Sequence, residues 1–213
     1  MGTTVVLDEA RKFGTGKVVV DSSSSVYGDT LVLPKIETIP TNPISPYGVS
    51  KLAQENLSIA FSKSYGMNIT ALRYFNVYGP RQRGGHYAGV IQIFATNAMK
   101  NEPLPIKGDG QQTRDFSFID DVVEANLLAA ISDKAMGRIY NVGGGSRISI
   151  DRLADIIISE TDSVSKKVYG PLRPGDVRDS LAGLERVTNE LGYNPKWSIE
   201  KGISRTLEWI RKG

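Results

Sequence analysis

The 213-residue chain contains no cysteine and only one histidine, His86. Without cysteine neither a disulfide framework nor a thiolate zinc site can form, and a single histidine excludes a histidine-rich metal centre. No apolar run approaches the roughly 20 residues that span a bilayer, and the N-terminus lacks a signal-peptide pattern. These absences predict a cytoplasmic protein that holds no metal.

Charge of one sign is not concentrated in any segment either. The 26 basic and 23 acidic residues are interspersed, and the formal net charge is only +3. This balance weakly supports a small anionic ligand and gives almost no support for binding DNA or RNA. With a hydrophobic content of 40%, the chain is long enough to bury the core of one large domain, or of one and a half small ones.

What the sequence does contain is an alternation of predicted helices and strands. Helical spacing covers 3–13 and 47–65, whereas 17–21 and 68–75 have the character of buried strands. Helix, strand, helix, strand in this order is typical of a parallel α/β sheet with crossover helices. The pattern therefore predicts the α/β fold class.

The sequence pattern changes across residues 76–90. This change predicts a boundary there between two lobes with a cleft between them. Residues 1–80 are assigned to the sheet domain, and 81–213 mostly to a smaller α/β lobe with segments that return to the sheet. Further short strands and helices are predicted at 89–100, 104–107, 115–119, 120–131, 138–142, 149–160, 184–191 and 199–212.

A tyrosine and a lysine stand four residues apart in the segment SPYGVSK at 45–51. On the helix predicted there, Tyr47 and Lys51 share one face. A tyrosine, with an ordinary pKa of about 10, is a poor base at neutral pH, but a nearby ammonium favours the phenolate. The pattern is short and also occurs at ordinary exposed helix starts, so its surroundings decide its interpretation.

Polar and aromatic residues follow the two predicted strands. Ser23 lies in SSSSVYG after the first strand, and Tyr74 lies at the end of the second. Because the loops after parallel strands gather at the carboxyl edge of the sheet, Ser23, Tyr47 and Tyr74 could converge at a ligand site there. The alternative is that the serines only solvate a loop.

Five motifs in order carry a family resemblance that extends from about residue 2 to the end. They are SSSSVYG at 22–28, SPYGVSK at 45–51, LRYFNVYGPRQ at 72–82, GDGQQTRDFSFIDDV at 108–122 and RPGD at 173–176. The chain resembles the NAD-dependent nucleotide-sugar epimerases and dehydratases of the extended short-chain dehydrogenase/reductase class. The resemblance is strongest to the UDP-glucose and UDP-N-acetylglucosamine 4-epimerases, and it implies a Rossmann-type sheet domain with a smaller substrate lobe.

The resemblance implies a catalytic and cofactor-binding group of four residues. Tyr47 would be the acid/base for the sugar 4-hydroxyl, and Lys51 would bind the nicotinamide ribose and make the phenol more acidic. Ser23 would hydrogen-bond the same sugar oxygen, and Tyr74 would lie near the nicotinamide end of NAD. The implied reaction transfers a hydride from C4 to NAD and returns it to the other face of a transient 4-keto sugar.

The resemblance also implies a substrate-binding group. Asn76 would hold the phosphates, Arg114 and Arg173 would grip the diphosphate, and Asp176 would bind a ribose. Planar guanidinium groups suit phosphate oxygens, although an arginine taken alone is more often a surface ion-pair partner. The small side chain of Ser180 would leave room for an N-acetyl group on the sugar.

One branch of the family is disfavoured. The 4,6-dehydratases carry an aspartate and a glutamate directly after the catalytic serine or threonine, and those acids eliminate water. Here the two positions are Ser24 and Ser25, which cannot do that work efficiently. Asp21 is a further departure, because relatives usually have a small residue at this position near the nicotinamide.

The glycine-rich GxxGxxG turn that binds the pyrophosphate of NAD in this family does not occur in the chain. The resemblance implies that the first strands of the Rossmann domain are absent with it. Three interpretations stay open: the C-terminal part of an epimerase, one half of a split enzyme with a separate N-terminal half, or an inactive nucleotide-sugar-binding remnant. Relatives pair through the helices that match 3–13 and 47–65, which predicts a homodimer.

Overall fold

Strands and helices alternate along residues 2–82 and 89–212, the part of the chain that the computed structural model describes. His86 lies outside these residues. The strands are β1 (Val18–Ser23), β2 (Ile69–Tyr74), β3 (Val77–Tyr78), β4 (Leu104–Lys107), β5 (Thr113–Asp115), β6 (Ser117–Phe118), β7 (Ile139–Val142), β8 (Arg147–Ser149) and β9 (Lys167–Gly170). The α-helices are α1 (Gly2–Lys12), α2 (Pro46–Tyr65), α3 (Val90–Met99), α4 (Ile119–Ile131), α5 (Ile150–Glu160), α6 (Glu185–Leu191) and α7 (Ile199–Arg211).

A parallel sheet in the order β1, β2, β7 is the frame on which the polar residues are placed. β2 is buried along almost its whole length, as expected for a strand covered on both faces. Since all three strands run the same way, their carboxyl ends meet at one edge of the sheet. The predicted parallel α/β arrangement is confirmed, and β7 brings a segment from beyond residue 81 into the same sheet as β1 and β2.

Both long helices predicted beside the sheet are present, and each of their ends lies within one residue of its predicted position. α2 begins at Pro46, and Ser45 caps it because its Oγ accepts a hydrogen bond from Gly48 N at 3.1 Å. The helix ends at Tyr65, and the following Gly66 caps it with a φ of 65°, in the left-handed region that favours glycine. Among the helices of the described residues, none combines the length and apolar character needed to cross a membrane.

The single strand predicted at 115–119 is wrong in its bounds. The chain forms β5 and β6 instead, with Phe116 between them. β5 pairs with β8, which was not predicted, and Arg114 lies opposite Ile148 in that pairing. The run breaks because β5 pairs antiparallel with β8, whereas β6 pairs parallel with β3, so the two halves belong to different sheets.

Two larger apolar clusters stabilise the fold. One joins α3, α5, α7 and β4 and contains Phe94, Leu104 and Leu153, all fully buried. The other packs α4 and α6 against the sheet and contains Leu72 and Tyr140. The division of the chain into domains at residue 80 stays a prediction.

A buried polar network ties α2 to the sheet below its carboxyl edge. Glu55 accepts hydrogen bonds from Arg73 Nε at 2.9 Å and Arg73 Nη2 at 2.6 Å, and from Ser22 Oγ at 2.7 Å. The Arg73 guanidinium also lies 4.6 Å from the centre of the Tyr27 ring. Tyr27 in turn donates to Asn141 Oδ1 at 2.7 Å, so the network reaches from α2 through β1 and β2 to β7.

Candidate active site

The carboxyl ends of β1 and β2 bring the first two predicted site residues together. Ser23 is the register partner of Tyr74 across the two parallel strands. The Ser23 Oγ accepts hydrogen bonds from Ser25 N at 3.2 Å and Ser25 Oγ at 2.9 Å, which caps a short 3-10 turn. The Tyr74 hydroxyl donates to Asn126 Oδ1 at 2.9 Å, and burial raises the pKa of Tyr74, so this phenol stays protonated.

Tyr47 and Lys51 lie one turn apart at the start of α2, and the Lys51 Nζ is 5.9 Å from the centre of the Tyr47 ring. The Tyr47 side chain is 57% exposed, which leaves its hydroxyl accessible to a ligand. Gly48 allows this first turn to pack closely on the serine loop, because a Cβ there would lie 2.8 Å from Ser25 O. The pair therefore lies at the same edge of the sheet as Ser23.

Arg114 enters from β5 and is only 8% exposed. Its Nη1 donates to Thr113 O at 2.8 Å and Arg178 O at 3.2 Å, and its Nη2 lies 3.5 Å from Asp176 Oδ1. Burial lowers the pKa of Arg114, and the Asp176 carboxylate counteracts this effect. An arginine remains protonated in proteins. Arg114 is therefore a buried cation whose nearest carboxylate is the exposed one of Asp176.

The RPGD loop approaches the segment just before Tyr47. Gly175 has a φ of 77°, and a Cβ there would lie 3.4 Å from Ile44 O. A glycine therefore suits both the turn and the close approach. Arg173 lies two residues earlier and is exposed, while Ser180, four residues after Asp176, is buried with 2% exposure.

Asn76 connects the edge of the sheet to the strand that carries Arg114. Its Nδ2 donates to Asp115 O at 2.8 Å, so at least one amide proton of Asn76 is already used. Asn76 also lines a cavity of about 90 Å³ together with Gln82, Val90 and Phe116. The structure thus joins Ser23 to Tyr74, Tyr47 to Lys51 and Arg114 to Asp176, whereas among the described residues it shows no side-chain contact of Arg173 or Ser180 with these groups, and the roles of all of them remain predictions.

Asp115 is a residue that the sequence reasoning missed. Its buried carboxylate accepts hydrogen bonds from Gly144 N at 2.7 Å, Ala182 N at 2.9 Å and Gly145 N at 3.3 Å. It thereby fixes the loop after β7 and the segment after Ser180 next to Arg114. The triple glycine at 143–145 was the available signal, since a Cβ on Gly144 would lie 2.5 Å from Phe116 O.

The pH dependence of folding should report on Asp115. Burial raises its pKa from 3.8 to about 6, although the three amides favour the charged form. Between these values the folded protein holds a proton that the unfolded chain has lost, so this carboxyl makes stability fall as the pH rises from 4 to 6. Relative to Asp115→Asn, the wild type should lose up to about 3 kcal/mol of unfolding free energy over this range.

Urea unfolding of both proteins at a series of pH values measures this difference. Other carboxylates titrate in the same range, but they are present in both proteins and cancel. Parallel stability profiles for the wild type and Asp115→Asn would show that Asp115 titrates near its ordinary value.

Lys35 was missed as well, and nothing in the sequence pattern indicated its burial. It is 1% exposed, its Nζ donates to Gly28 O at 2.9 Å, and burial lowers its pKa. The negative charges of Asp29 and Asp179 act to raise the pKa of Lys35, whereas the positive charge of Arg114 acts to lower it. Lys35 therefore adds a buried cation behind the Arg114 region.

Residues 1–143, about two thirds of the chain, match the profile described as the NAD dependent epimerase/dehydratase family. The chain belongs to this family. The family resemblance stated from the five motifs is thereby confirmed, and with it an NAD-dependent epimerase class of enzyme. The family description also agrees with NAD as the cofactor.

Individual members of the NAD dependent epimerase/dehydratase family are similar over nearly the whole chain. A UDP-glucose 4-epimerase of Mycolicibacterium smegmatis is 35% identical, and the match covers 99% of this chain and 67% of the relative. The crystal structure of a UDP-glucose 4-epimerase from Thermotoga maritima with UDP-glucose superposes with a TM-score of 0.95 at 38% identity, over 99% of this chain and 68% of that one. A UDP-N-acetylglucosamine 4-epimerase from Methanobrevibacter ruminantium M1, in complex with UDP-N-acetylmuramic acid, gives a TM-score of 0.93 at 34% identity, with 99% and 67% covered.

The chain thus spans about two thirds of the length of these family members. Other reactions are represented at lower identity. A dTDP-glucose 4,6-dehydratase of Streptomyces niveus is 32% identical over 99% of this chain and 62% of the relative. The similarity therefore identifies the family and leaves the particular substrate open.

Proposed function

We propose that this chain carries the catalytic edge of a nucleotide-sugar 4-epimerase that interconverts UDP-glucose and UDP-galactose. The observation that supports this most strongly is the Tyr47–Lys51 pair beside Ser23, with Arg114 and Asp176 on the neighbouring loops. These groups supply what the reaction requires, namely a phenol for proton transfer, a cation beside it and a guanidinium for phosphates. The identities of 34–38% to named UDP-sugar 4-epimerases point to the same reaction.

The residues at the carboxyl edge fit the nicotinamide riboside half of NAD. Lys51 would bind the ribose hydroxyls by exchanging a hydrogen bond that it now gives to Asp21 or Gln54, and the exposed carboxylate of Asp21 beside it suits a positively charged ring. Tyr74, paired with Ser23, offers a half-buried aromatic surface at the same edge. When bound, NAD supplies an acceptor for the C4 hydride and returns that hydride to the sugar.

The chain's own side chains then have distinct tasks. Tyr47 Oη takes the proton of the sugar 4-hydroxyl as C4 becomes a ketone, and later gives it back. Lys51 stabilises the phenolate by its charge, and Ser23 hydrogen-bonds the 4-oxygen. Arg114 and Arg173 hold the diphosphate while the sugar turns over, so that either face of C4 can receive the hydride.

Elimination of water is not expected, even though the family includes dehydratases. The two residues after Ser23 are hydroxyl residues, and Ser25 Oγ is already bonded to Ser23 Oγ at 2.9 Å. A hydroxyl with an ordinary, high pKa is a poor general acid or base at neutral pH. This supports epimerisation over 4,6-dehydration.

We further propose that N-acetylated sugars are accepted. Ser180 is small and buried next to the segment that Asp115 holds, and the family resemblance implies that a bulky side chain at this position would exclude an acetamido group. Comparable turnover of UDP-glucose and UDP-N-acetylglucosamine is the expected result. Strict rejection of the N-acetylated substrate would contradict this proposal.

A homodimer through α1 and α2 also remains a proposal. The two helices contact each other, and α1 leaves Val5 and Val6 more than 60% exposed. Apolar side chains on an outer helix face are suited to pairing with a second copy. Sedimentation analysis of the purified chain should give twice the monomer mass, and a monomer at micromolar concentration would reject the proposal.

The direct experiment on the proposed function is an assay of the purified chain with UDP-glucose and added NAD. Formation of UDP-galactose, followed by chromatography, is the expected result. UDP binding without any turnover would instead favour a nucleotide-sugar-binding module. If the chain neither bound UDP nor turned over UDP-glucose, the proposed function would be rejected.

A further inference from the structure

Lys51 is bound to a carboxylate at the end of β1. Its Nζ donates to Asp21 Oδ2 at 2.6 Å, to Asp21 O at 2.9 Å and to Gln54 Oε1 at 3.2 Å. An ammonium has three N–H donors, so all of them are used. Gln54 Nε2 donates to the other carboxylate oxygen, Asp21 Oδ1, at 3.1 Å, and the carboxylate is thereby held from two sides.

The two charges differ in their exposure. The Lys51 side chain is 15% exposed, whereas the Asp21 side chain is 61% exposed and lies on the solvent side of the pair. Asp21 precedes Ser23 by two residues on the same strand, so their side chains point to the same face of the sheet. A ligand that reaches Ser23 and Tyr47 at this edge therefore approaches the carboxylate as well as the ammonium.

The chemistry of the proposed reaction places a nicotinamide near this pair, and the inference rests on that proposed function. The hydride leaves carbon C4 and the proton leaves the oxygen on the same carbon, so the hydride acceptor and the Tyr47 phenol must both reach one carbinol group. Lys51 lies 5.9 Å from the Tyr47 ring. The charge at Lys51 and Asp21 therefore acts on the ring that accepts the hydride.

We infer that Asp21 is a positioning residue which offsets the Lys51 charge on the side where the nicotinamide binds, and so keeps the oxidised, cationic nicotinamide favoured over the reduced, neutral one. A free ammonium would repel the cationic ring and leave the neutral ring unaffected. The Asp21 carboxylate cancels this repulsion, because it lies 2.6 Å from the Lys51 Nζ. An epimerase begins and ends each cycle with oxidised cofactor, and Asp21 supports that state.

Glu55, the carboxylate of α2 close to Lys51, is already paired with Arg73. Glu55, one turn further along α2, is buried and bound by Arg73 through two hydrogen bonds. Tyr74, from β2, is held in a hydrogen bond to Asn126. Within the described residues, the charge that faces Lys51 at hydrogen-bond distance is therefore that of Asp21.

Equilibrium binding of NAD and of NADH to the purified chain tests the inference without relying on turnover. Asp21→Asn keeps the shape and removes the charge, and it should raise the ratio of the Kd for NAD to the Kd for NADH about tenfold. Lys51→Met should change the same ratio in the opposite direction. Asp162→Asn, which removes an equal charge from an exposed turn after α5, should leave the ratio unchanged.

A purely structural role for Asp21 gives a different result. Loss of packing alone would weaken NAD and NADH equally, and an unchanged ratio in Asp21→Asn would overturn the inference while leaving the proposed function intact. If the wild-type chain bound neither form, both the proposed function and the inference would fail. Isothermal titration calorimetry of the four proteins distinguishes these outcomes.

Discussion

Replacement of Tyr47 by phenylalanine should lower the turnover of UDP-glucose by about 10²- to 10⁴-fold. The variant keeps the ring beside Lys51 and loses only the hydroxyl that exchanges the proton with the sugar. The Tyr47 side chain is 57% exposed, so the change should leave the free energy of unfolding nearly unaffected. Steady-state kinetics together with urea unfolding measures both quantities.

Tyr65→Phe is the matched control for this variant. Tyr65 lies at the other end of the same helix, has the same 57% exposure and contacts Arg11 through its ring. Its hydroxyl lies far from the carboxyl edge along the 20-residue helix, so turnover should stay at the wild-type level. Equal activity of Tyr47→Phe and the wild type would remove Tyr47 from the mechanism.

Removal of the Glu55 carboxylate should cost about 3–5 kcal/mol of unfolding free energy. In Glu55→Ala the Arg73 guanidinium stays buried beneath the sheet edge and loses both of its charge-assisted hydrogen bonds. An uncompensated buried charge is costly because the protein interior solvates it poorly. Urea denaturation of the variant and the wild type at neutral pH measures the loss.

A surface ion pair provides the contrast for this measurement. Lys196 Nζ lies 2.8 Å from Glu124 Oε2, but these side chains are 64% and 34% exposed. Glu124→Ala should therefore cost less than about 1 kcal/mol. A loss for Glu55→Ala as small as that for Glu124→Ala would mean that Arg73 is solvated or paired in another way.

The periodic parts of the chain were predictable because burial imposes a simple pattern on them. The β-branched run of β1 predicted a strand, and Ser45 and Gly66 mark the ends of α2, although the residues that this helix buries most are small or polar: Gly48, Glu55, Ser58 and Ser62. The ordered motifs then identified the family, which spacing alone could not have done. Tyr47 and Lys51 share a helix face as predicted, since four residues make about one turn.

The interactions between distant segments were not predictable from the sequence pattern. Asp115 bonds amides about 30 and 67 residues away, and Lys35 is buried although lysine usually remains exposed. Arg73 occupies a position in a strand where the alternation gives no hint of a buried ion pair with α2. Periodicity reports which face is covered, but it does not report which polar atom meets which partner.

The fate of the hydrogen on C4 tests the central claim most directly. UDP-glucose that carries deuterium at C4 is converted by the purified chain with NAD in ordinary water, and the product is analysed by mass spectrometry. A hydride that leaves C4 and returns to it, while Tyr47 handles only the hydroxyl proton, predicts UDP-galactose with the deuterium still on C4. Product that has exchanged this deuterium for solvent hydrogen would contradict the account.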